Sequence, residues 1–128
     1  MKKQTLLRVL CIASLSMAAS VLAHHSPAIF DRTKEVKLVG VVKEFKWGNP
    51  HSWIELDVRS ETGNVEGWSI EMNPPSYLVK AGWKSTTIKA GESVTVMINP
   101  LRTSEKSGKF VSITLPDGKV LKDTAPTP

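Results

Sequence analysis

Hydrophobic and polar residues change their spacing several times along this chain, and each change marks an element. Residues 9–21 are thirteen uncharged, mostly apolar positions in a row, too few to cross a bilayer core as a helix, which needs roughly 20. Leu38-Val39-Gly40-Val41-Val42, with Phe45 and Trp47 beyond, puts apolar residues on both parities around a glycine. That pattern predicts a long curved strand, bulged at the glycine and partly buried on both sides. Residues 52–59 alternate cleanly, with Ile54, Leu56 and Val58 facing one way and Glu55 and Asp57 the other. Glu61-Thr62-Gly63-Asn64 turns the chain into a return strand over 66–72, with Trp68, Ile70 and Met72 on one face.

The period then lengthens. Asn73-Pro74-Pro75-Ser76 predicts a helix start, with Asn73 able to cap and proline tolerated in the first turn; Gly82 stops the helix, giving one or two turns within 74–82. Val94, Val96 and Ile98 share a face of the next strand, a polar loop covers 100–109, and residues 110–115 and 120–121 complete the set. Three Asn-Pro pairs (49–50, 73–74, 99–100) stand at predicted strand ends, where proline stops pairing. Three strands, a short helix, then two or three strands is the order of the OB-fold, a small five-stranded Greek-key barrel with its helix between strands 3 and 4. The expected class is therefore mostly β and OB-fold-like, with a β-sandwich or another small barrel as the competing arrangement. The expected organisation is a cleavable signal peptide at 1–23, an arm at 24–35, one barrel at 36–122 and a disordered tail at 123–128, with Ile29 and Phe30 pinning the arm to the body.

Charge and cysteine alter this picture once the start of the chain is considered. Lys2, Lys3 and Arg8 precede the apolar run, and Val21-Leu22-Ala23 closes it with small or β-branched residues at −3 and −1, the three-part pattern of a secretory signal. Cleavage after Ala23 removes three of the 17 Lys and Arg residues and none of the 12 acids, so the formal net charge falls from +5 to +2. The remaining charge gives no argument for nucleic acid. Cys11, the single cysteine, leaves with the signal, which excludes disulfides, thiolate metal sites and cysteine nucleophiles from the mature chain. The expected location is the periplasm or the outside of a bacterial cell, with no stable membrane anchor after cleavage.

The three histidines are His24, His25 and His51, and two of them become the first two residues of the mature chain. A histidine at a free terminus offers its α-amine and its Nδ1 as a six-membered chelate. A third nitrogen from His51 would complete a T-shaped brace suited to Cu(II), which prefers tetragonal nitrogen sites. His25 could serve instead through its own Nδ1, the amide before it and the terminal amine. Met72 is a soft candidate for an axial position. The alternative is that the terminal pair is simply solvated and His51 is a turn residue bonded to backbone.

Trp47 and Trp53 bracket the predicted loop that carries Asn49 and His51, and Trp53 has the parity opposite to the apolar row of its strand. It could form a stacking platform or the wall of a site, although tryptophans of this kind also serve as packing. Arg102, Lys106 and Lys109 make the 100–109 loop basic, as a solvated loop or as a partner for an anionic group. Glu55 and Asp57 have no nucleophile or fixed base near them in sequence, Glu71 stands alone, and neither a phosphate loop nor a G-x-S-x-G elbow is present. Enzymatic activity is not expected.

Ala-His-His-Ser at the cleavage point, Trp-x-Asn-Pro-His-Ser-Trp-Ile (47–54), Trp-Ser-Ile-Glu-Met (68–72), Gly-Trp (82–83), Ile-Asn-Pro-Leu-Arg (98–102) and Leu-Pro-Asp-Gly (115–118) together resemble one uncharacterised family of exported bacterial proteins, a domain of unknown function. The resemblance spans essentially the whole mature chain and implies export; it implies no activity, substrate or ligand. From the residues themselves the expectation is a periplasmic metal-binding protein, with copper as the expected metal, through His24, His51 and in the alternative geometry His25. The rival expectation is a non-catalytic module for a peptide, saccharide or protein partner, or an accessory subunit of a periplasmic complex, using Trp53, Trp47, Asn49 and Arg102.

Overall fold

Strand β1 (Val36–Lys46) has neighbours on both sides, and it is too long to lie flat against either. Its first half pairs antiparallel with β4 (Ser93–Pro100), its second half with β2 (Trp53–Arg59), and Gly40 pairs with both, opposite Val94 and Val58. The computed structural model describes residues 29–124. The signal peptide expected over 1–23, Cys11, His24, His25 and the last four residues of the expected tail lie outside them.

β2 pairs antiparallel with β3 (Val65–Glu71), β4 with β5 (Ser107–Thr114), and β3 closes the ring by a short parallel ladder onto β5 through Ser69–Ser107, Ile70–Gly108 and Glu71–Lys109. The order β3-β2-β1-β4-β5, joined end to end, is a closed five-stranded barrel of the OB-like kind, with helix α1 (Pro75–Lys80) between β3 and β4 as the alternation predicts. A two-residue strand β6 (Val120–Leu121) adds to the outer side of β5.

The bulge in β1 falls between Val42 and Glu44, not at Gly40. Ahead of it Leu38 and Val42 face the core; beyond it the parity flips and Phe45 and Trp47 turn inward against the same cluster. This single inserted residue accounts for the inward turn of Phe45 and Trp47, but not for Val39 and Val41, which precede it on the outer parity. The expected two-sided burial does not occur, since Val39 is 60 % exposed and Val41 is exposed as well. Gly40 is required for another reason: a Cβ there would stand 2.5 Å from the Asp57 carbonyl oxygen and 3.0 Å from Leu56 Cγ of β2. Gly108 has the matching position in β5, opposite both Pro100 and Ile70, and a Cβ there would stand 2.6 Å from Ile98 Cδ1 and 2.7 Å from the Asn99 carbonyl oxygen.

Inward residues of every barrel strand meet in one core, with Ile54, Ile70, Val96, Ile98 and Ile113 fully buried. Leu78 of α1 closes one end of it. The helix ends in a Schellman arrangement: Gly82 has φ of +88°, its N–H bonds to the Val79 carbonyl, and the Trp83 N–H reaches back to the Leu78 carbonyl at 2.9 Å. That turn drives Trp83 into the core between Phe45 and Phe110, ring centroids 5.9 and 5.6 Å away, while its indole N–H donates to the Lys122 carbonyl at 2.6 Å. Burying an indole of this size removes enough apolar surface to stabilise the fold by roughly 4–6 kcal/mol before conformational costs.

The helix cap differs from expectation, and β5 begins at Ser107, inside the loop expected over 100–109. The N-cap of α1 is Pro74, with no side-chain cap bond. Asn73 instead turns to the C-terminal segment, its backbone N–H to Asp123 Oδ2 at 3.3 Å and its Nδ2 to the Asp123 carbonyl at 3.4 Å. Asp123 is thereby buried, and burial pushes its carboxyl above the ordinary range despite Lys109 and the Asn73 bond. The ordered body thus runs past 122, because a polar segment is held where its buried carboxylate and carbonyl find donors. At the other end Phe30 bridges to Leu101, the Asp31 N–H bonds to the Pro100 carbonyl and the Arg102 N–H to the Ile29 carbonyl, so the arm is stitched to the loop at 101–106, as the apolar pair Ile29-Phe30 predicts.

Gly40→Ala and Gly108→Ala are each expected to destabilise the barrel by about 1–3 kcal/mol through forced overlap. Gly67→Ala, in β3 with open space around the new Cβ, should stay within about 0.5 kcal/mol of the parent. Urea denaturation of the three variants checks this, and equal midpoints for all of them would contradict the crowding.

Candidate functional site

The outer faces of β2, β3 and β5 carry facing residues across the closure of the barrel: Trp53 and Glu55 from β2, Ser69 and Glu71 from β3, Ser107 and Lys109 from β5. Cross-strand neighbours on one face stand close enough to bond. Glu55 takes a hydrogen bond from the Ser69 hydroxyl and one from Lys46 Nζ at 2.9 Å. Burial alone would raise its carboxyl, but these two bonds and the Lys46 charge outweigh it and hold Glu55 below the usual range. The Ser107 hydroxyl donates to the Ser69 carbonyl at 2.7 Å, reinforcing the three-residue parallel closure.

Above this face the arm and the 101–106 loop enclose a groove of about 480 Å³. Its walls are mainly apolar, from Ile29, Phe30, Trp53 and Leu101. Polar groups come from Glu71 at one side and from Arg102, Thr103, Glu105 and Ser107. OB-like barrels hold ligands across strands 2 and 3 and between the loops that follow strands 1 and 4. This groove takes Trp53 from β2, Glu71 from β3 and the loop after β4, and no residue of the 47–52 loop.

His51 sits at the end of the 47–52 loop, which is pinned to the end of β3 by the Met72 N–H bonded to the Ser52 carbonyl at 2.9 Å and by the Ser52 N–H bonded to the Asn73 carbonyl at 3.4 Å. Its Nδ1 lies 3.1 Å from the Met72 carbonyl oxygen and 3.4 Å from Glu71 Oε1. Both neighbours are acceptors, so Nδ1 is the donor, and in the tautomer this selects the lone pair lies on Nε2. Lys109 Nζ also stands 3.4 Å from Glu71 Oε1, which makes Glu71, only 7 % exposed, the common partner of a histidine and a lysine.

Of the residues singled out by sequence, the structure brings His51, Trp53 and Arg102 to this groove or to Glu71 beside it. Arg102 Nη1 is 3.9 Å from Asp31 Oδ1. Trp47 packs edge-on against Phe45 at 5.7 Å, at the border of the core, and Asn49 is exposed in the loop; neither lines the groove. Met72 is fully buried, so its thioether faces the core and only its carbonyl serves the site. His24 and His25 lie outside the described residues. Among the described residues no group of three or more His, Cys, Asp or Glu could hold a metal ion.

Glu71 is the site residue that sequence reasoning missed; Lys109 is read there only as one of three basic residues of a loop, without its partner Glu71. The available signal was parity: Glu71 falls between Ile70 and Met72 and must face outward, on the same side as Trp53. The contact with Lys109 needs the parallel closure of β3 on β5, which joins positions 38 residues apart.

The closed five-stranded barrel with its helix between β3 and β4 is OB-like in architecture. Residues 11–110 match the family model of DUF6152, a family of unknown function, and the chain belongs to that family. No curated protein and no solved structure matches the chain.

Because the folded state lowers the Glu55 pKa, its contribution to stability is present above the unfolded carboxyl value of 4.5 and is lost as the pH falls through the folded value. Glu55→Gln should therefore cost about 1 kcal/mol at pH 7 and progressively less below pH 4.5. Denaturation at several pH values checks it, and a deficit independent of pH would refute the charge assignment.

Proposed function

We propose that this protein is exported to the periplasm, begins there at His24 and binds one copper ion through the α-amine and Nδ1 of His24 and the Nε2 of His51. His25 is the substitute if the terminal chelate forms through the second residue. The role is binding, not catalysis. The observation that carries the reading is the setting of His51. Metal-ligating imidazoles donate their other ring N–H to a carbonyl or carboxylate, which fixes the tautomer and strengthens the donor. His51 meets that requirement with Met72 and Glu71.

The course of the arm is the second support. Ile29 lines the groove whose Glu71 touches His51. Five residues lead back from Ile29 to His24, a reach of about 17 Å when extended. Copper is favoured over softer-site metals because the donors are nitrogens and the mature chain has no thiolate. A second reading, a module for a small ligand or partner, is favoured by the groove itself, with Trp53 and Arg102 on its walls.

Intact mass of protein taken from the periplasm is expected to correspond to a start at His24. Titration with Cu(II) should then show one site. Placing one alanine before His24 should lower its affinity by several powers of ten, on the order of 10³ or more, because the amine–imidazole chelate is lost. His51→Ala should weaken it less. Unchanged affinity after the added alanine, or a mature start at Ser26, overturns the brace.

A further inference from the structure

We infer that the groove beside Trp53 binds a small organic ammonium ion, a protonated amine on an apolar or aromatic body, with Glu71 as its counter-ion. This goes beyond the copper reading and does not depend on it. Glu71 is more than nine-tenths buried and lines the groove. Both of its contacts, Lys109 Nζ and His51 Nδ1, go to Oε1 and are long, at 3.4 Å each. Oε2 has no hydrogen-bond partner among the described residues. That oxygen is open to solvent, since among the described residues only Trp68 Nε1 is buried without a partner, and the group that binds such a carboxylate oxygen best is a charged N–H.

The neighbouring charges favour a cation. Arg102 is directed to Asp31, Lys106 to Glu66 at 2.7 Å, and Lys109 to Glu71 itself, so each nearby base has its own acid. With these pairs counted, Glu71 beside Lys109 and Arg102 beside Asp31, the remaining acid on the groove wall is Glu105, so the surroundings lean negative. An anionic ligand would have to approach the buried Glu71 carboxylate directly. Trp53 is the cross-strand partner of Glu71 and offers an indole next to it, so a cation held by Glu71 also gains the attraction of an aromatic face. Ile29, Phe30 and Leu101 supply apolar surface for the body of the molecule. A space of about 480 Å³ suits one small molecule and not an extended chain.

The test uses metal-free protein in the presence of a chelator and three probes of one shape: phenethylamine, phenethyl alcohol and phenylacetate. Calorimetry with tryptophan fluorescence should show saturable one-to-one binding of the amine, about tenfold or more tighter than the alcohol, with the acid weakest. Glu71→Gln should bring the amine down to the level of the alcohol while leaving the alcohol unchanged, and Trp53→Leu should weaken the amine about tenfold. Equal binding of amine and alcohol, tighter binding of the acid, the absence of saturable amine binding, or full amine affinity in Glu71→Gln overturns the proposal. If Glu71→Gln does not fold, the comparison of the three probes on the unaltered protein decides the question alone. Protein with an added alanine before His24 should keep its amine affinity, so failure of the copper site and failure of the amine site are read separately.

Discussion

Two strands of this barrel are held between two neighbours at a glycine, and the close approach of backbones at those two places is the constraint on which the rest of the structure depends. At Gly40 the first strand passes from β4 to β2; at Gly108 the fifth stands between β4 and β3. Neither place has room for a methyl group. Because the strands can meet there, the sheet coils until its third and fifth members touch, and that contact is what brings Glu71 beside Lys109. The bulge after Val42 completes the work by returning Phe45 and Trp47 to the interior, where Phe45 meets Trp83.

Much of this was legible from spacing alone. The alternation in β2 and β4 names their buried rows correctly, Gly82 marks the helix end, and Ile29-Phe30 identifies where the arm docks, because each is a local rule with a local cause. What stayed hidden depends on pairs distant in sequence. The place of the bulge is set by how β1 must follow two neighbours, so a glycine nearby misdirects the reading. Asp123 looks like the start of a solvated tail until its bonds to Asn73, 50 residues away, are known. Glu71 seemed alone for the same reason: its partners come from the loop after β1 and from β5.

The outer face of the barrel treats its two acids in opposite ways. Glu55 is saturated with donors, from Ser69 and Lys46, and serves the packing of strands. Glu71 is more deeply buried and less fully served, with long contacts to one oxygen. Two carboxylates on neighbouring strands of one sheet thus illustrate the difference between a charge spent on architecture and a charge left with capacity to act. That His51 leans on the second of them gives the imidazole a fixed orientation that a free loop residue would lack.

The backbone bonds between residues 29–31 and 100–102 have one more consequence. They make the entering arm and the loop between the fourth and fifth strands a single mechanical part, so neither can be displaced alone. Insertions or substitutions in that loop would therefore shift residues 29–31 across the barrel without altering one of them.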